Sequence, residues 1–189
     1  YTLSVVDLEE IKNKMAKVVD YVRSDVSSIR TGKATPTLVE NIMIGAYGGS
    51  AQMRVMELAS ITVPDAQSIV ITPYDQSIIG DIKRDIIAAN TGLTPVLDNN
   101  LIRIAVPALT TERRMEYVKM LHKKLEDGRV KVRNIRHDKM SELKRQGESK
   151  ELNEDDKARI EEELQNITDK MMLNIEDLGK IKEKEILGG

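Results

Sequence analysis

The densest run of chemistry-bearing side chains in the sequence is Gly128-Arg129-Val130-Lys131-Val132-Arg133-Asn134-Ile135-Arg136-His137-Asp138. On a helix, Arg129, Arg133 and Arg136 fall at i, i+4 and i+7, so they line one face beside a seam made by Val132 and Ile135. A guanidinium is a planar fork of N–H donors that keeps its charge, which suits bidentate contact with phosphate oxygens. Lys131 adds a permanent charge to the same run and His137 a pH-dependent one. Asn134 reads as an exposed helix position. The row also reads as a solvated face whose arginines pair with an acidic neighbouring helix, and composition alone gives that reading about even standing. Against it, the near neighbours Lys131 and Lys139 are positive too, so carboxylates on the same helix are not expected to neutralise the row.

A second cluster, Ile29-Arg30-Thr31-Gly32-Lys33-Ala34-Thr35-Pro36, combines two cations with a glycine and a proline. It reads as a helix stop followed by a linker, with Gly32 free to take a positive φ and Arg30 and Lys33 favourably placed near a helix C-terminus.

Enzyme signatures are missing. Gly32-Lys33 is not a P-loop, because Ser27 stands where the first glycine belongs and Ala34 where the final Ser or Thr belongs. There is no G-x-G-x-x-G turn and no H-E-x-x-H. His122 and His137 are the only histidines, and fifteen helical residues put them about 22 Å apart, too far to share a metal. Without cysteine there is no thiolate metal site, disulfide or cysteine nucleophile. Asn166-Ile167-Thr168 fits a glycosylation pattern inside a helical stretch and reads as a chance match. No catalytic residue, metal or cofactor is expected.

The clusters need stiff elements to hold them, and the apolar pattern predicts three. Residues 1–30 read as one amphipathic helix, with Leu8, Ile11, Met15, Val18, Val22 and Ile29 spaced by three, four and seven. Ser4 with Asp7 reads as its N-cap and Leu3 with Leu8 as a staple, and the helix is expected to stop near Thr31-Gly32. A second helix starts at Thr110, carries Val118, Leu121, Leu125, Val132, Ile135 and Leu143, and ends near Gly147. A third begins at an Asn153 cap, where Glu154, Asp155 and Asp156 complement the dipole. It carries Ile160, Leu164, Ile167, Met171, Ile175, Leu178 and Ile181. The last two would each be roughly 50 Å long, and neither can bury its stripe alone.

Between the first two helices the pattern changes. Pro36, Pro64, Pro73 and Pro95 and five glycines punctuate short segments. Residues 41–47, 58–63, 68–72 and 101–106 read as strands, with 51–55 a weaker one. Ile78, Ile79, Ile82, Ile86 and Ile87 mark one helix, capped by Ser77 and closed near Gly92, and Asp98-Asn99-Asn100 reads as a hairpin turn. The predicted fold is α+β: residues 1–30 and 106–189 form an elongated antiparallel three-helix bundle, and 31–105 form an inserted β/α/β domain. Attachment by two chain crossings implies a hinge.

Size and composition agree with this plan. The 189 residues and 21.3 kDa suit one domain or two small ones. Phe, Trp and Cys are absent, so the core must come from Ile, Leu, Val, Ala and nine Met. The net charge of -2 hides a strong polarity. Residues 113–145 carry twelve Lys and Arg against five Asp and Glu, a net +7, while 1–112 carry -3 and 146–189 carry -6. Such a field draws a polyanion to one stretch. Five tyrosines are few for base-stacking readers, so a bound nucleic acid would be gripped by phosphates and shape. No apolar run approaches the ~20 residues of a membrane span. The sequence begins at Tyr1, not Met, which leaves room for an upstream targeting peptide.

At the two clusters the sequence closely resembles bacterial and organellar ribosome recycling factors. The resemblance runs through essentially the whole chain: Ile29-Arg30-Thr31-Gly32 with Ala34 and Pro36, Tyr47-Gly48, Gly92-Leu93 with Pro95, and Pro107 with Leu109-Thr110. Glu112-Arg113-Arg114, Val132-Arg133-Asn134-Ile135-Arg136 with Asp138, and Glu154-Asp155-Asp156 complete it. Where the family pattern usually has arginines, this chain has Lys33 and His137, which exchanges one planar fork for a point charge and makes the other charge pH-dependent. The resemblance implies an L-shaped, hinged protein of tRNA-like dimensions. It implies action after termination, when the factor and elongation factor G split a 70S-type ribosome with energy from GTP hydrolysis by the elongation factor. By the same resemblance Arg129, Arg133 and Arg136, with Lys131 and His137, would lie against large-subunit rRNA. Arg30, Thr31, Gly32, Lys33 and Ala34, with Ala105, Val106 and Pro107, would form the hinge, and the small domain would face the translocase. A monomer without cofactor or membrane is implied, in bacterial cytoplasm or an organellar stroma or matrix. The rival readings are a structural helical adaptor and a hibernation-type ribosome binder that does not separate subunits.

Overall fold

The structure is a computed structural model that describes the backbone of residues 2–188 and the side chains of residues 8–188. The chain divides into two compact units, Tyr1–Thr31 with Thr111–Gly189 and Gly32–Thr110.

The first unit is a bundle of α1 (Thr2–Ser27), α4 (Thr111–Glu148) and α5 (Glu154–Ile186). Leu8, Ile11, Met15, Val19, Val22, Val26 and Ile29 form the buried stripe of α1, and they meet Leu121, Leu125, Val132 and Leu143 of α4 and Ile160, Leu164, Met171 and Ile175 of α5. Val18 is only partly buried; its turn contributes Val19 instead. Asp25 pairs with Lys124 at 2.6 Å and Tyr21 lies by Lys131, so α1 and α4 run antiparallel. Arg136 bonds Gln165, and Glu183 lies by His122, so α4 and α5 also run antiparallel.

Two glycines set the closeness of this packing. A Cβ on Gly128 would meet Val22 Cγ2, and one on Gly179 would meet Leu125 Cδ1, both well inside contact distance. Ile181, expected on the core stripe, is 61% exposed, while Gly179 takes the interior position and Ile186 closes the core. The helix ends are made locally. Asn153 Oδ1 accepts the Asp156 N–H at 2.8 Å, as its position predicts. Helix α1 stops at Ser27, a turn before the expected Thr31-Gly32, where the Ser27 and Ser28 hydroxyls donate to the Ser24 and Asp25 carbonyls. It begins at Thr2, so Ser4 lies in its first turn and not at its cap. The expected side-chain contacts of Leu3, Ser4 and Asp7 lie outside the described residues.

The second unit has six strands: β1 (Met43–Ala46), β2 (Ala51–Arg54), β3 (Ala59–Asp65), β4 (Ser68–Pro73), β5 (Pro95–Asp98) and β6 (Leu101–Ala105), with α2 (Val55–Leu58) and α3 (Ile79–Ala88). β1 and β2 form a hairpin, and the other four make an antiparallel sheet in the order β3-β4-β6-β5. Ile69 sits opposite Ile104 and Ile71 opposite Ile102, so alternate β-branched residues form one buried face. Ile82 and Ile86 of α3, with Ile78 just before it, belong to the same core. Ile87 points out, because the spacing of four leaves it off the buried face. Asn99 at φ 54 turns the β5–β6 hairpin, as expected. Ser77 does not cap α3, whose N-cap position is Ile78 without a side-chain cap; Asp75 instead caps the 3-10 turn Gln76–Ile78 that leads into α3, its Oδ1 accepting the Ser77 N–H and hydroxyl.

The boundaries shift too. Val106, assigned above to the bundle, donates its N–H to Gln67 O at 2.8 Å and is buried with Ile102 and Ile104. The second crossing therefore falls at Thr110–Thr111.

Candidate nucleic-acid interface

The arginine row stands on the middle of a 38-residue helix. Val132 is fully buried and Ile135 half-buried, so α4 cannot rotate without exposing its seam. That rotation sends Arg129, Arg133 and Arg136 to the side where α5 passes. A groove of about 630 Å³ lies there, with the three arginines, Gln165, Asp169, Leu173 and Glu176 among its lining residues.

The arginines are held in two ways. Arg129 Nη1 donates to Glu126 Oε2 at 3.1 Å, and Arg133 Nη1 donates to Glu126 Oε1 at 2.8 Å. One carboxylate thus serves two guanidiniums, and hydrogen bonds from Arg133 and then Arg129 hold its carboxyl below the usual range. Arg129 is the more seated, with its side chain 29% exposed against 54% for Arg133. Arg136 Nε donates to Gln165 Oε1 at 2.9 Å, and Gln165 Nε2 donates on to Asp169 Oδ1 at 2.7 Å. A neutral amide thus stands between Arg136 and the acid of α5. Among the described residues, Arg129, Arg133 and Arg136 each donate one of these side-chain hydrogen bonds, out of the five N–H donors a guanidinium carries.

The expectation that carboxylates on α4 would not neutralise the row is corrected by Glu126, which lies three residues before Arg129 and seven before Arg133, a spacing visible in the sequence. Lys131 does not join the row. Two residues from Arg129 it points to α1, its Nζ 4.5 Å from the centre of the Tyr21 ring. His137 is exposed one turn beyond Arg133. Gln165 and Asp169 were beyond sequence reasoning, since only packing brings α5 to the row.

The expected hinge residues separate into two groups. Ala34 donates its N–H to Ala66 O at 2.7 Å, Ala105 pairs with Ser68 in the sheet, and Val106 is buried, so all three are fixed parts of the small unit. Arg30 and Thr31 precede the first crossing, Gly32 and exposed Lys33 follow it, and Pro107 leads toward the second. Gly32 has φ 76, and a Cβ there would lie 2.9 Å from both Leu109 N and Leu109 Cγ. Only glycine fits that conformation and that approach.

The small unit carries its own polar cluster. Asp85 Oδ2 accepts the Gly45 N–H at 2.7 Å, Asp81 Oδ2 accepts the Tyr47 N–H at 3.1 Å, and Asp75 Oδ2 accepts the Tyr47 hydroxyl at 2.6 Å. Arg84 bridges Asp81 and Asp85 and donates to Gly45 O. These bonds hold the Tyr47-Gly48-Gly49 turn, where all three residues have positive φ, against α3.

Among known proteins, the ribosome recycling factor family model matches residues 22–187. The ribosome-recycling factor of Bacillus pumilus is 42% identical over 180 residues, covering 95% of this chain and 96% of that one. That of Cutibacterium acnes is 38% identical, covering 95% and 97%. A solution structure of a ribosome recycling factor superposes with a TM-score of 0.77 at 36% identity, covering 97% of this chain and 98% of that one. A second structural relative is the T. thermophilus ribosome recycling factor, from models of it and E. coli elongation factor G bound to the E. coli post-termination complex. It superposes at a TM-score of 0.62 and 33% identity, covering 96% and 98%. With the family model matched over residues 22–187 and relatives about 40% identical over nearly its whole length, this chain belongs to the ribosome recycling factor family.

Proposed function

We propose that this chain recycles ribosomes after termination: anchored by Arg129, Arg133 and Arg136 on large-subunit rRNA, it works with elongation factor G and GTP to split the ribosome and release mRNA and tRNA. Family membership over nearly the whole chain carries this reading. The ordered arginine row supports its RNA-binding half, because three guanidiniums on one rigid helix match phosphates spaced along a backbone. The chain acts without turnover of its own, as a monomer that transmits work done by the GTPase on the small unit. The crossings at Thr31–Gly32 and Thr110–Thr111 form the joint. Bacterial relatives support a bacterial cytoplasmic setting.

The test is a sucrose-gradient assay with post-termination ribosomes, purified protein, elongation factor G and GTP. Conversion of the 70S peak to subunits, dependent on all three additions, is the expected outcome. Ribosomes held intact would favour a hibernation-type binder, and splitting without the GTPase would refute the coupling.

A further inference from the structure

Two acceptors hold the arginine row, a charged one for Arg129 and Arg133 and a neutral one for Arg136. Glu126 shares its carboxylate between Arg129 and Arg133, and Gln165 holds Arg136 while keeping Asp169 one hydrogen bond away. The row therefore presents three positive charges against one directly bonded negative charge. Asp169 and Glu176 are also among the groove's lining residues. An RNA phosphate approaching Arg133 meets Glu126 as a competitor for the same fork and as a like charge at short range.

We propose that Glu126 is a built-in competitor for RNA phosphate, and that Gln165, by standing where a carboxylate would neutralise Arg136, keeps that competition to one half of the row. The inference rests on the reading of this face as the rRNA interface. Its function is reversibility: a factor that acts in rounds must leave its subunit, and a carboxylate ready to take back two arginines lowers the barrier to release. Geometry makes Glu126 suited to that exchange. It is exposed and sits on the same helix as its partners, so it stays beside them when a phosphate takes over their hydrogen bonds. It remains ionised near neutral pH because both arginines favour its charged form.

Two nearly isosteric substitutions move the charge in opposite directions. Glu126→Gln leaves the row at full charge. It should bind isolated large subunits several-fold more tightly at low salt, with a steeper dependence of log K on log salt and slower dissociation. Gln165→Glu places a carboxylate on Arg136 and should weaken binding several-fold with a shallower slope. Filter binding across a salt series reads affinity, chase with unlabelled protein reads dissociation, and helical circular dichroism checks the fold. If Glu126→Gln binds as weakly as Arg133→Ala, Glu126 is an orienting group needed for contact and the competitor proposal falls, while the interface reading stands. If Arg133→Ala itself binds like the parent across the series, the interface reading falls and the proposal falls with it. Equal affinity of parent and both acceptor variants, beside a weakened Arg133→Ala, would also overturn the proposal.

Discussion

The two units use their ionised side chains in opposite ways. In the small unit, Asp75, Asp81 and Asp85 have their oxygens taken by backbone N–H groups, the Tyr47 and Ser77 hydroxyls and Arg84, and every one of those bonds holds the Tyr47-Gly48-Gly49 turn or the start of α3. In the bundle, three arginines share one carboxylate and one amide among the described residues. Saturated charge makes a latch, and unsaturated charge makes a grip. The contrast directs the search for partners to the bundle row, where three cations face one directly bonded carboxylate, rather than to the small unit, where the carboxylates are occupied internally.

The largest test removes one side of the comparison. Replacing Gly32–Thr110 by a short Gly/Ser linker from Thr31 to Thr111 should retain most large-subunit binding and abolish splitting with elongation factor G and GTP. Full splitting by the bundle alone would end the division of labour. Next come paired core truncations. Leu121→Ala in the bundle and Ile82→Ala in the small unit each remove a fully buried side chain. Each should cost about 2–5 kcal/mol in its own unit and little in the other. Hydrogen exchange resolved by residue reads both units together, and equal losses in both would mean a single cooperative core.

A smaller effect separates grip from latch. Arg133→Ala should weaken large-subunit binding by roughly 1–3 kcal/mol and flatten its salt dependence. Arg84→Ala, removing a cation whose acceptors are intramolecular, should leave that binding unchanged and loosen the Tyr47 turn, seen as faster amide exchange at Gly45 and Tyr47. Equal effects of the two on binding would erase the distinction.

The smallest concerns acid. The Tyr47 hydroxyl, then Ser77, holds the Asp75 carboxyl below its ordinary value, and Arg84, then the Gly45 N–H, does the same for Asp85. Because the native values are depressed, the stability these groups add is full above the ordinary carboxylate range near ~4 and is lost as pH falls through their lower native values. The thermal midpoint of the small unit should therefore drop below about pH 4. Asp85→Asn should lower the midpoint at pH 7 and flatten the acid limb, converging with the parent in strong acid. A variant with the parent's full acid slope would exclude Asp85 from the latch energetics.

Periodicity alone determined the three long helices, since a stripe such as Met15, Val22 and Ile29 can be buried only on one side of a helix. Local residue type and spacing also determined the hairpin at Asn99, the Asn153 cap and the i, i+4, i+7 arginine row, because caps, turns and helical faces depend on residues within a turn or two of one another. Ile181 and Ile87 followed the same pattern and yet face out, since which turn of a stripe meets a neighbour depends on where that helix crosses it. The early end of α1 at Ser27, made by serine hydroxyls competing for the last carbonyls, was local but weakly signalled. Only tertiary structure decided that Lys131 turns to Tyr21, that Val106 belongs to the small unit's core, that Gly32 lies against Leu109, and that Gln165 rather than Asp169 receives Arg136. Each of these joins residues far apart in the chain, and their distances are set by packing that no local spacing encodes.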